Sequence, residues 1–448
     1  MSREMKDSGI PWIGEIPSHW RFYRIRHNTF LKGRIGWQGL NSNDFIDEGY
    51  CLITGTDFDN KGGIHWETCY RISKERFDED ELLHVKEGDL LMTKDGTVGK
   101  MAYIKYLPEE ASLNSHLLII RQLSNIISNS FLYWVMLSDV FKGFIAHYQT
   151  GTIMSSISQN TLGYFSCFCP PPPEQIAIAV FLDKKCSEID DMISLQEEII
   201  EELKAYKQSV ITEAVCKGLN PNTPQRDSGI EGVNVPSHWD TRKFNQLCSR
   251  ITDFVASGSF ASLRENVPYL DTPDYAMLVR TADLSNTAKS EGRVYISQKS
   301  YDFLRNSNLF GGEIVLPNIG SIGDVYIVPK DLYPKMSLAP NAITFSTLQN
   351  DKYYYYYFLG ALGKKQLHDI AESTAMPKFN KTDLKQLRVL CPPIEEQQTI
   401  ADFLDVKCAE IDTLISLKQS KIDALKEYKK SIIYEYITGK KEVPYGEQ

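Results

Sequence analysis

Two stretches of the chain repeat apolar residues at alternating steps of four and three. Ile189, Ile193, Gln196, Ile200, Leu203, Lys207, Val210 and Ala214 mark the first, and Ile411, Ile415, Lys418, Ile422, Leu425, Lys429, Ile432 and Tyr436 the second. A mean step of about 3.5 residues is the period of a coiled-coil seam, so each stretch predicts a long helix with one apolar face. The polar members fall at the same places in both (Gln196 and Lys418, Lys207 and Lys429), where they cost stability and fix register. The likeness is also literal. "FLDKKCSEIDDMISL" from Phe181 returns as "FLDVKCAEIDTLISL" from Phe403, and 19 of the 35 positions in 181–215 are identical in 403–437. Prolines at 170–173 and 392–393 forbid continuation of a strand or helix, so each long helix is expected to start after them. Glu174-Gln175 and Glu396-Gln397 therefore fall in the first turns, where a carboxylate suits the helix dipole. A helix of roughly 40 residues is about 60 Å long, and one left exposed is poorly stabilised. The two are expected to pack on each other.

The same duplication runs through the segments before each helix. "DSGIPWIGEIPSHW" (7–20) returns as "DSGIEGVNVPSHW" (227–239), and "CPPPPEQ" (169–175) as "CPPIEEQ" (391–397). "GDLLMTKDGTVGKMAYI" (88–104) matches "GEIVLPNIGSIGDVYIV" (312–328), aligning Gly88 with Gly312, Gly96 with Gly320 and Gly99 with Gly323. Short apolar runs punctuated by Gly, Asn and Asp predict strands: "DLLMT", "MAYI" and "HLLIIR" in the first half, "EIVLP", "DVYIV" and "AITFS" in the second. Residues 129–147 and 352–371 predict helices, each followed by a polar loop. The five tyrosines at 353–357 could stack on bases, but consecutive helical residues point all round, so they read as core. Between these landmarks the halves scarcely match. Framework is duplicated and filling has diverged, as for two modules doing the same job on different targets, with neutral drift of a structural duplication as the bland alternative.

The expected fold class is α+β: two tandem-duplicated globular α/β domains separated by two long helices packed as an antiparallel coiled coil, with pseudo-two-fold symmetry. The expected boundaries are 1–169 for the first domain, 170–218 for the first long helix, 219–390 for the second domain with a linker at 219–229, 391–440 for the second helix, and 441–448 for a tail. Parallel pairing would require the roughly 20-residue connection after the first helix to run back along a 60 Å bundle. Composition sets the remaining bounds. No apolar run reaches the roughly 18 residues that span a bilayer, so no membrane contact is expected. Nine cysteines without paired spacing read as reduced thiols in the cytoplasm. The net charge of −9 lies mostly in the helical segments: 170–218 carries −5 and 391–448 carries −3, against −3 for 1–169 and +2 for 219–390. The electrostatic footprint of a nucleic-acid binder is not visible at that scale.

The opening segments, the Pro-Pro-x-x-Glu-Gln break, and the "FLD…EIDxxI" helices continuing into "LKxYKxSxI" together resemble the specificity (S) subunits of Type I restriction-modification systems. The resemblance covers nearly the whole chain, twice over. It implies that the divergent modules are target recognition domains, each reading one half of a bipartite, asymmetric site on double-stranded DNA. It also implies that the helices set the unspecific gap and dock two methyltransferase (M) subunits. Restriction (R) subunits complete the nuclease, and the chain itself catalyses nothing and needs no cofactor.

The residues themselves offer no competing chemistry. "KDGTVGKM" (94–101) lacks the spacing and the Ser/Thr of a phosphate loop. No Asn-Pro-Pro-Tyr/Phe tetrad or Gly-rich cofactor turn occurs, and the eight histidines show no metal spacing, so no metal site is expected. Base readout needs Arg, Lys, Asn, Gln, Ser or Thr at groove edges. Two polar loops at equivalent positions supply them. The candidates are Gln149, Thr152, Ser155, Ser156, Gln159 and Asn160 in the first, and Ser373, Thr374, Lys378, Asn380 and Lys381 in the second. Lys94, Thr97, Asn318 and Ser321, beside the matched glycines, form a further tier. Each could instead be a solvated loop residue or a helix cap. The alternative function is a tandem-repeat protein–protein adaptor with a coiled-coil spacer and no DNA affinity. A free-standing enzyme on nucleic acid is the weakest reading.

Overall fold

A computed structural model describes residues 3–10, 13–34, 40, 42–59, 61–148, 156–285, 291–371 and 377–444. The chain forms two compact units, one of residues 1–197 and 419–448, the other of 198–418. Each unit therefore takes half of each long helix, and these helices run over Pro172–Lys217 and Ile394–Ile437.

The first unit carries a four-stranded antiparallel sheet in the spatial order Thr29–Gly33, Leu117–Gln122, Leu90–Thr93, Met101–Tyr103. A second sheet places Tyr50–Ile53 between Tyr70–Ile72 and Ala111–Leu113, parallel to the latter. The second unit repeats the scheme with Cys248–Asp253, Ala342–Thr347, Ile314–Pro317 and Tyr326–Ile327. Its other sheet sets Ala276–Val279 beside Val294–Ile296 and parallel to Met336–Leu338, and gains the strand Asn308–Leu309. The six strands expected from apolar runs all form, with "DVYIV" reduced to Tyr326–Ile327.

The two expected aromatic helices each break once. Asn129–Leu137 and Asp139–Tyr148 are separated by Ser138, and Asp351–Leu359 and Ala361–Asp369 by Gly360. Both break residues have extended backbone, with ψ of 164° and 158°. The Ser138 hydroxyl donates to the Val135 carbonyl at 2.6 Å, so the side chain takes a place that the helical N–H ladder would have used. Periodicity alone does not reveal the break, because both arms keep an apolar face.

The tyrosine run is core, as expected. Tyr353, Tyr354 and Tyr357 are fully buried. Their hydroxyls donate to the carbonyls of Val215 and Leu390 and to Gln366 Oε1 at 3.0, 3.2 and 2.7 Å. Burial pushes all three hydroxyls well above their ordinary pKa range, so they remain donors.

The duplicated motifs meet at the start of each long helix. In the first unit Glu174 accepts from the Trp20 indole at 3.3 Å, pairs with His19 at 2.9 Å, and also receives Arg3. In the second, Glu396 accepts from the Trp239 indole at 3.0 Å and pairs with His238 at 2.8 Å. Both indoles are fully buried, so each needs its acceptor. The adjacent glutamines, also fully buried, bind the segment leading into the aromatic helix. Gln175 Oε1 accepts from Ser128 N at 2.8 Å and Gln397 Oε1 from Asn350 N at 3.1 Å. In the first unit the second long helix ends at this same corner. Gly439 has φ of +70°, and a Cβ there would lie 2.5 Å from Pro17 and 3.0 Å from Trp20.

Within the first unit, Lys429 bridges to Asp190 at 2.6 Å, and Phe181 packs on Tyr436 with ring centroids 4.4 Å apart. Within the second, Lys207 bridges to Asp412 at 2.7 Å. These bridges join the same two positions of the repeat, since 207 and 429, like 190 and 412, differ by 222. All sixteen seam positions are buried or half-buried. Lys207 and Lys429, seam members by period, are satisfied by acids beside the opposing seam.

Replacing Glu396 with alanine removes the acceptor of a buried indole. It should lower the unfolding free energy by about 1–3 kcal/mol in urea titrations, with E396Q costing less because it keeps an acceptor.

Candidate nucleic-acid interface

In both units the polar loop that follows the aromatic helices returns to the glycine-punctuated turn. In the first, Ile157 N donates to the Lys94 carbonyl at 2.9 Å and Ser156 forms a bridge with Asp95. In the second, Phe379 N donates to the Asn318 carbonyl at 3.1 Å and Lys378 forms a bridge with Ile319. The two tiers of candidates, far apart in sequence, are thus neighbours in each unit. Gly96 and Gly320, with φ of +68° and +85°, allow the turns to present their tips, where Thr97 and Ser321 are exposed.

The structure then separates the candidates. Gln149, Thr152, Ser155, Ser373 and Thr374 lie outside the described residues. Ser156 is half-buried beside the turn. Gln159 and Asn160 open a short helix, Gln159–Leu162, capped by Ser158. Gln159 is exposed but donates to the Leu31 carbonyl at 2.6 Å, and Asn160 faces solvent. Lys94 is half-buried and Lys378 exposed. Asn318 is half-buried and donates to the Phe379 carbonyl at 2.8 Å, which holds the loop to the turn. Asn380 caps the helix Lys381–Gln386 in a reciprocal box with Asp383. Lys381 pairs with Asp253 at 2.8 Å. Asn380, Asn318 and Lys381 thus serve the fold locally, whereas Thr97, Asn160, Ser321 and Lys378 present themselves outward.

Sequence reading missed His116, which is exposed and pairs with Asp95 at 3.1 Å on the same turn. It also gave the Glu-Gln pairs only their place beside the helix dipole and the His-Trp pairs no role, although their joint recurrence in both repeats was a signal that they touch. No group of three or more His, Cys, Asp or Glu residues among the described ones could hold a metal. All nine cysteines are unpaired. Burial pushes the Cys216 thiol up to about 11 and the Cys186 thiol up to about 12, away from thiolate chemistry. No helix among the described residues is long and apolar enough to cross a membrane.

Two copies of one sequence family coincide with this duplicated geometry: the Type I restriction modification DNA specificity domain matches residues 36–205 and 236–439. The chain belongs to that family. A putative type I restriction enzyme MjaX specificity subunit of Methanocaldococcus jannaschii is 25% identical over 94% of this chain and 98% of its own length. Among solved structures, a chain described in work on complex assembly and conformational transition of the type I R-M system superposes with a TM-score of 0.71. It is 14% identical, over 95% of this chain and 99% of that one. The HsdS subunit from Thermoanaerobacter tengcongensis gives 0.53, also at 14% identity, over 95% and 98%. At such identities the structural likeness speaks for the fold alone. The adaptor alternative is not favoured, because family membership places a DNA-specificity role on both repeats.

Gly320 and Gly96 have open space where a Cβ would go, so a substitution there meets only backbone strain. Gly320→Val should cost about 1–3 kcal/mol in urea unfolding. Gly143→Ala, inside a helix and also unobstructed, should instead stabilise by about 0.5–1 kcal/mol.

Proposed function

We propose that the chain is the DNA-specificity subunit of a type I restriction-modification assembly, with 1–169 and 219–390 as target recognition domains. Each domain reads one half of an asymmetric bipartite site. The two long helices pair antiparallel about an approximate two-fold axis and set the gap. The observation that carries this reading is the recurrence of one ion pair in both units, Asp190 with Lys429 and Asp412 with Lys207. In each case the early part of one helix meets the late part of the other. The outward residues of the two loop–turn pairs, Asn160 and Thr97 in one unit and Lys378 and Ser321 in the other, are the proposed groove contacts. The partly committed Gln159, Asn318, Asn380 and Lys381 support them, as do the half-buried Ser156 and Lys94 and the residues Gln149, Thr152, Ser155, Ser373 and Thr374.

Two methyltransferase subunits dock on the helices, and restriction subunits join the complete complex in the cytoplasm. The chain contributes no catalytic group of its own. Support for docking comes from apolar side chains left outside the seam. Met192, Leu195 and Tyr428 are exposed in the first unit, and Leu414, Leu417 and Tyr206 in the second. These are equivalent positions of the repeat, offered once per unit, as two copies of one partner require. Leu195→Glu with Leu417→Glu should abolish co-purification of the methyltransferase while leaving the unfolding midpoint within a few degrees.

The decisive measurement is the gap. Seven residues inserted after Glu198 and again after Ser420 preserve the heptad and lengthen each helix by about 10 Å. The motif selected from a random duplex library by the chain with its methyltransferase should keep both half-sites and gain about three base pairs between them, at 3.4 Å per pair. Recovery of an unchanged gap, or of no motif from the unaltered chain, would overturn the proposal.

A further inference from the structure

The near-neutral net charge of the first module conceals a one-sided distribution. The chain holds 58 acidic residues in 448, about one in eight, yet none lies between Glu15 and Asp44 and none between Asp139 and Glu174. Folding brings these two acid-free arms together. Arg21–Arg24 pairs antiparallel with Ser166–Cys169, with Arg24 opposite Ser166 and Arg21 opposite Cys169. Ile25 N donates to the Phe165 carbonyl at 3.0 Å. The short helix Gln159–Leu162 then lies over residues 26–31, since Gln159 reaches the Leu31 carbonyl and a Cβ on Gly163 would sit 3.2 Å from Arg26 Cβ.

Of the cations on this surface, Lys32 and Arg34 are taken by Asp80 and Glu79 at 2.7 and 3.4 Å. Arg21, Arg24 and Arg26 are exposed, and among the described residues no ion pair involves them. Arg26 lies over the Tyr164 ring at 5.1 Å and donates to His27. Phe22 and Tyr164 are each about half exposed beside the arginines. The second unit differs at the matching ribbon. There Arg242 is bound to Asp240 at 2.8 Å and Lys243 to Gln386 at 2.7 Å.

We propose that Arg21, Arg24 and Arg26 form a phosphate-binding strip that grips the DNA backbone beside the half-site read by the first module. The second module has no equal counterpart. This rests on the DNA-specificity reading above and adds to it a division of labour. The loop beside Asn160 reads bases, and the ribbon joining that loop to the long helix supplies sequence-independent grip. Guanidinium groups suit phosphate oxygens in fork geometry, and contacts of this kind position a protein without selecting sequence. Carboxylate depletion along both arms is what a polyanion approaching that face requires, because a nearby acid would both repel phosphate and occupy the arginines.

The test uses the full chain with its methyltransferase on two duplexes, one bearing the selected motif and one scrambled, with affinity measured across salt. R21Q/R24Q/R26Q should flatten the slope of log K against log salt by roughly 2–3, near 0.9 per lost phosphate contact. Binding to both duplexes should fall together, and the selected motif should not change. The lysine triple, R21K/R24K/R26K, should recover most of the slope. R242Q/K243Q should flatten it by less than 1. An unchanged slope in the glutamine triple, with a cooperative unfolding transition retained, overturns the strip. A changed motif overturns its sequence independence. Lost methyltransferase association with an unchanged slope assigns the face to protein instead. If the unaltered chain itself shows no salt-dependent DNA affinity, the specificity reading fails, not merely the strip.

Discussion

A single carboxylate at the head of each long helix joins three parts of its unit. Glu174 and Glu396 each sit in a first turn that favours negative charge, and each is held by an indole N–H and an imidazole from the segment that opens the module. The next residue, a buried glutamine, fixes the lead-in to the aromatic helix. Helix, opening strand and aromatic helix are thereby set against each other through side chains within two residues. A buried indole without its acceptor is costly. That cost forces the corner to be kept, and once it is kept the sheets and loops inherit their placement.

Much of this architecture is legible in the sequence. The seam residues follow from period alone, and duplication gave the repeated order of strands, break and helix. Proline stereochemistry placed the head of the second long helix, which begins at Ile394 just after Pro393, but the first begins at Pro172, inside the proline run, because a first turn tolerates proline. What periodicity could not give was the interruption at Ser138 and Gly360, where backbone turns without any loss of apolar face. Nor could it show that Lys207 and Lys429, placed within the stripe, would be satisfied by Asp412 and Asp190, because that depends on which part of the other helix lies opposite.

The candidate loops and turns were legible in the sequence only as segments. The Ile157–Lys94 and Phe379–Asn318 hydrogen bonds bring loop and turn to one place in each unit, a contact that equivalence between the repeats did not itself predict. Residue type could not separate outward groups from those the fold consumes. Asn380 and Lys381 look like readers by composition, yet one caps a helix and the other answers a carboxylate. Charge summed over a module is also silent on where that charge lies. The same total arises from an even mixture or from acids kept to one side, and only the pairing of distant arms distinguishes them.

The buried tyrosines bear on how such a module can change over time. Tyr353, Tyr354 and Tyr357 send hydroxyls to the end of one long helix, to the last strand and to the following helix, while Tyr356 reaches Asp405 on the other long helix at 2.9 Å. The helix that carries them is moored on every inward side by contacts indifferent to what lies beyond it. Loops springing from such a moored element can accumulate substitutions without loosening their own foundation. Novelty at the tip then carries little penalty for the trunk.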